Sequence, residues 1–132
     1  MFISDANIYA LHSLHYIVTC RVKMNTYSLQ KYASIIGQRG GWEWFQALLQ
    51  TLDTLAKKHG VSIADVASRW VLQREGVGAI IVGARNASHV EEHQRLFQFA
   101  LDSQDVSCIQ AALDSGKKPT SVVYTFERGG SW

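Results

Sequence analysis

The run Gly83-Ala84-Arg85-Asn86-Ala87-Ser88 holds the residue types of an anion site. A glycine lets an anion approach the backbone, and a helix beginning at Ser88 would aim its first unsatisfied N–H groups outward. Arg85 adds a planar, permanently charged donor, and phosphate is the anion that this chemistry suits. The same spacing also describes a plain strand-to-helix turn with a solvated arginine, a common connection. Spacing alone does not separate the two readings.

Other reactive side chains are dispersed. Tyr9, His12, His15 and Tyr16 have the right types for proton transfer, but no surrounding pattern organises them, and aromatic packing is the simpler reading. Cys20 and Cys108 are far apart, too few for a disulfide framework and without zinc-ligand spacing, so no metal site is expected. Cys108 is expected to be a small packed residue on a helix. Trp42, Trp44 and Trp70 read as packing residues, and His59 as a helix-end residue. Lys57-Lys58, the nearest approach to a basic patch, read as a solvated cap complementing a helix dipole.

The elements that must position these groups show in the periodicity. Ser28 to Ile36 is a short apolar stretch ended by Gly37 and the Gly40-Gly41 pair. Trp42, Phe45, Leu48, Leu49, Leu52, Leu55 and Ala56 recur at spacings of three and four, one face of a helix closed by Gly60. Ser62 with Asp65 forms a short-armed capping box for a second helix. Its buried face would be Ile63, Val66, Ala67, Trp70 and Val71, and its end near Arg74. Gly78 to Gly83 is a β-branched run between glycines, which suggests a short strand near 79–82 buried on both faces, as in a parallel sheet. Ser88 with Glu91 would cap a helix running through Val90, Leu96 and Phe97. A last helix starts near Asp102 or Ser103, carries Val106, Ile109 and Leu113, and stops at Gly116. A lone strand of this kind has no partner for its backbone hydrogen bonds, so the chain reads as part of something larger.

Composition bounds the class. With 132 residues, 47% apolar and 18% charged, the chain is one domain able to bury a core. A net charge of +2 with scattered Lys and Arg argues against nucleic acid. No run approaches the ~20 apolar residues that span a bilayer, and residues 1–18 read poorly as a signal peptide. A cytoplasmic protein without membrane contact is the expectation.

Tyr27-Ser28-Leu29-Gln30-Lys31-Tyr32, Gly40-Gly41-Trp42, Phe45-Gln46 and His59-Gly60-Val61-Ser62-Ile63 resemble one branch of the aldo-keto reductases. So do Val66 to Gln73, Ile80 to Arg85, His89 to His93 and Ala100 to Ile109. The resemblance covers roughly residues 26–127. It implies an α/β ancestry: a truncated, C-terminal fragment of a (β/α)8 TIM barrel that starts after the seventh strand and is mostly helical. On that reading residues 1–25 are an unmatched extension, 26–116 a partial NADP-dependent oxidoreductase domain, and 117–132 a polar tail.

The resemblance also implies NADP(H) as cofactor and an aldehyde or ketone as substrate of the intact enzyme. Gly83, Ala84 and Arg85 match the branch's pattern at the adenosine 2′-phosphate. Glu92 looks like the acid that accepts from the adenine amine. His93 stands where the family usually has asparagine, and His89 where many members have an arginine. A mostly neutral imidazole weakens the 2′-phosphate contact, which leaves the preference for NADP over NAD open. The family's Asp, Tyr, Lys and His tetrad maps to no position here, so no catalytic residue is expected and the chain alone reads as inactive. Two other classes remain: a non-catalytic helical interaction module, self-associating through exposed apolar helix faces, and a helix-turn-helix DNA-binding module at 56–72.

Overall fold

The computed structural model describes residues 2–3, 27–82 and 94–120. In chain order these form strand β1 (Phe2–Ile3), helices α1 (Tyr27–Arg39), α2 (Gly41–His59) and α3 (Ile63–Leu72), and strand β2 (Ile81–Val82). A 3-10 turn (Arg95–Phe97) and helix α4 (Ser103–Asp114) follow. The expected helices at Trp42, Ser62 and Asp102 are all present. The family's barrel is not: among the described residues the only sheet is two-stranded.

Local chemistry sets the helix ends. Gly37 does not stop α1, which continues to Arg39; the break falls at Gly40, where φ is 141°. Gly60 closes α2 in the left-handed conformation, φ 66° and ψ 32°, as its place after Lys57-Lys58-His59 leads one to expect. Ser62 and Asp65 form a complete capping box on α3, and Asp102 and Asp105 form a second on α4.

The core lies where α2, α3 and α4 meet. Leu49, Leu52, Leu55 and Ala56 from α2 pack against Ile63 and Val66 from α3, and against Leu101 and Ile109 at α4. Each fully buried aliphatic side chain contributes about 1.5–3 kcal/mol of transfer free energy. Ala67 and Trp70, expected in the buried face of α3, are partly buried against this cluster.

At the far end, Trp44 of α2 fixes the exit of α4. Its indole N–H donates to the Ala112 carbonyl at 3.1 Å, and the Arg39 guanidinium lies 4.9 Å from its ring. Arg39 also donates to the Leu113 carbonyl, while its own carbonyl accepts from the Lys117 N–H at 2.8 Å.

Two expectations for the strand need correction. It is paired: Phe2–Ile3 lies parallel to it, Phe2 opposite Ile81 and Ile3 opposite Val82. It is also shorter than 79–82 and not buried on both faces, because Ile81 is 65% exposed. The region around Leu96 and Phe97 differs too: 95–97 is a 3-10 turn with Leu96 buried and Phe97 exposed.

Two glycines give opposite expected outcomes. A Cβ at Gly116 would stand 2.6 Å from the Trp44 indole nitrogen and 2.8 Å from the Arg39 carbonyl oxygen. Gly116→Ala is therefore expected to destabilise by about 1–3 kcal/mol. Gly37 has open space around it inside α1, so Gly37→Ala is expected to stabilise by about 0.5–1 kcal/mol. Thermal melts of the two variants beside the unaltered chain check both signs.

Candidate functional site

Gly83, Ala84, Arg85, His89, Glu92 and His93 lie outside the described residues, as do Ser88 and Glu91, so the structure speaks to their flanks. The flank before them is β2, ending at Val82. Its neighbour β1 runs parallel, so both strands present their carboxyl ends on the same side. Ligands of parallel sheets bind beyond the carboxyl ends of the strands.

The flank after them is held by the polar side of α3. Arg69 donates from Nη1 to the Leu96 carbonyl at 3.1 Å and from Nε to Gln73 Oε1 at 3.0 Å. Gln73 then grips Leu101 from both sides: its Nε2 donates to the Leu101 carbonyl at 3.0 Å, and its Oε1 accepts the Leu101 N–H at 2.9 Å. Leu96 and Leu101 are themselves buried, so these backbone groups would otherwise lack water. In the sequence Arg69 and Gln73 belong to the Val66 to Gln73 run that resembles the reductases, but nothing there points to their partners 27 and 28 positions away.

A second polar cluster joins the C-terminus of α2 to the N-terminus of α4. Lys58 Nζ lies 2.7 Å from Asp102 Oδ2 and 2.6 Å from Asp105 Oδ1, and His59 Nε2 lies 2.8 Å from Asp105 Oδ2. The His59 ring also packs on Phe99, with centroids 5.4 Å apart. Lys58 is thus more than a solvated cap, whereas Lys57 pairs with Asp53 on its own helix and is well exposed. Hydrogen bonding to Asp102 and Asp105 raises the Lys58 pKa. The Lys58 ammonium lowers that of Asp102, helped by the Asp105 N–H. Burial pushes the Asp105 carboxyl up, but Lys58, His59 and the Asp102 N–H outweigh it and hold the value below the ordinary one. Cations at a helix C-terminus and anions at a helix N-terminus also suit both dipoles. This cluster is a structural joint, not a metal centre; among the described residues no group of His, Cys, Asp or Glu is placed to hold a metal ion.

Tyr9, His12, His15, Tyr16 and Cys20 lie outside the described residues. Cys108 is exposed on α4, not packed, because the inward positions of that helix are taken by Asp105 and Ile109. Trp70 is covered by Arg74, whose guanidinium sits 4.5 Å from the ring centroid, at the side of a cleft of about 360 Å³ between α3 and α4. One face of the indole is therefore taken by Arg74. Ile63 and Asp65, which a helix-turn-helix would turn toward base edges, are buried in the core and the capping box. No helix among the described residues is long and apolar enough to cross a membrane.

The model of the Aldo/keto reductase family matches residues 16–114 of the chain. The match begins inside the first 25 residues, where the motifs showed no likeness, and it encloses every candidate cofactor residue. No solved structure matches the chain.

The α2–α4 joint has a definite pH profile. Asp102 and Asp105 titrate below their ordinary 3.8 in the folded chain, so their contribution is present above that value and is lost as pH falls through the lower folded values. Lys58 titrates above 10.5, so its contribution is present below that value and is lost as pH rises through the folded one. The joint's contribution to the melting temperature is expected to fall away below pH 3.8 and above pH 10.5. Asp105→Asn is expected to lose about 1–3 kcal/mol at neutral pH and to flatten the acid decline, as read by melts across the range.

Proposed function

The chain belongs to the aldo/keto reductase family, and from that premise we propose that its segment 83–93 is the adenosine end of an NADP(H) site. The observation carrying this reading is that β2 ends at Val82, parallel to β1, immediately before Gly83-Ala84-Arg85. The donor set fits the group. Gly83 and Ala84 let the 2′-phosphate approach the backbone, and Arg85 supplies a fixed cation for it. The Glu92 carboxylate accepts from the adenine amine, and His93 offers it one further donor or acceptor. His89, mostly neutral at pH 7, adds little to phosphate affinity.

In an intact enzyme of this family the cofactor would supply a hydride to an aldehyde or ketone. On this reading no residue of this sequence takes a part in the family's Asp, Tyr, Lys and His tetrad, and the chain alone does not turn over a carbonyl substrate. On the same reading, residues 26–116 are the oxidoreductase portion, derived from the closing part of a (β/α)8 barrel, and 117–132 are a tail. NADPH is expected to bind this chain in the millimolar range at best or not at all, with no carbonyl reduction. Micromolar affinity in a tryptophan-fluorescence titration, or turnover by chain free of contaminating reductase, would contradict this.

A second reading is favoured by one observation. Ile81 and Phe97, 65% and 75% exposed, stand on either side of the cofactor segment in sequence, and both are large and apolar. They support self-association as a property of this chain. Size-exclusion elution is expected to shift with concentration, and Phe97→Ser to reduce the shift; a compact monomer at all concentrations would argue against it.

A further inference from the structure

We propose that the cleft between α3 and α4 binds a free α-amino acid with an apolar side chain, at a site independent of segment 83–93 and of its reading. The cleft holds about 360 Å³ and is lined by Trp70 of α3, by Gln73, Arg74 and Glu75 just beyond that helix, and by Val106 of α4. Small-ligand sites begin at about 300 Å³ and combine apolar walls with a few convergent polar groups.

The polar groups here are held in place yet lack the partners that an amino acid carries. The Arg74 guanidinium lies 4.5 Å from the Trp70 ring centroid, which fixes its plane. Its one hydrogen bond among the described residues, from Nη1 to Gln110 Oε1, is long at 3.4 Å. Most of its N–H donors therefore remain for a ligand, and a carboxylate matches their fork. Glu75 lines the same cleft with the opposite charge, and no ion pair joins it to Arg74 or to another described residue. Trp70 contributes a third group: its Nε1 is buried and meets no acceptor. A buried donor in that state is costly, and a ligand oxygen seated in the cleft supplies what it lacks.

The remaining lining residues narrow the ligand further. Gln73 is spent on the Leu101 backbone and on Arg69, so its amide does not compete for the ligand. Val106 and the indole give the apolar wall against which a side chain packs. A simple carboxylate would face repulsion from Glu75, and a simple amine repulsion from Arg74. A ligand that carries both charges on one carbon meets neither penalty.

The test titrates the full 132-residue chain with L-leucine and follows the Trp70 ring N–H by NMR, assigned by its loss in Trp70→Phe. Saturable movement of that signal in the millimolar range is expected. The same skeleton without its amine (4-methylpentanoate) or without its carboxylate (3-methylbutylamine) is expected to bind about tenfold more weakly or worse. Arg74 and Glu75 are exposed, so their variants keep the fold, which the unchanged amide signals of Leu49 and Ile109 verify. Arg74→Gln is expected to weaken leucine about tenfold. Glu75→Gln is expected to weaken leucine and to strengthen 4-methylpentanoate, an opposed pair of changes that loosened packing would not produce. An indole signal unmoved by leucine at roughly 50 mM, equal response to all three probes, or unchanged affinity in Arg74→Gln overturns the proposal.

Discussion

A carboxylate with 2% exposure stays ionised only where its surroundings return what water gave it, and Asp105 is in that position. It receives a lysine from one side, an imidazole from the other, and a backbone N–H of its own capping box. All of these partners are brought by the meeting of two helix ends of opposite polarity. The end of α2 can meet the start of α4 only if the two helices run antiparallel, and that arrangement sends Trp44 toward Ala112 at the other end. The core lies between these two fastenings, and α3 is seated against it through Ile63 and Val66.

Much of this was legible in the sequence. Apolar spacing from Trp42 to Ala56 marked α2, glycine after Lys57-Lys58-His59 marked its end, and Ser62 with Asp65 marked the start of α3. These signals are local: each depends on residues within a turn of one another. The features that escaped are those whose partners are remote. Nothing near Lys58 announces a carboxylate 47 positions away, and nothing in Gln73 announces the Leu101 backbone. Gly37 misled because glycine is a weak helix residue that a helix can still absorb. Cys108 misled because a helix with few buried positions left it outside.

The segment proposed to hold the cofactor shows the same division. The glycine, the arginine and the capping serine are a local pattern, and the likeness to the family gave them their meaning. The strand before them was expected without a partner, yet Phe2–Ile3 supplies one from the stretch to which no role had been assigned. Two residues of parallel pairing carry no periodicity, so no reading of the first 25 residues alone could have found them.

The sequence separation of the two fastenings also governs how the chain assembles. The α2–α3 hairpin closes through the few residues around Gly60, a local event that a diffusing chain completes early. The joint at Asp105 and the knot at Trp44 span 47 and 68 positions, and each must bear the closure entropy of a long loop before its bonds form. By this closure cost the hairpin is expected to form before α4 arrives. Both fastenings sit on α4, so its docking is what closes these two long loops.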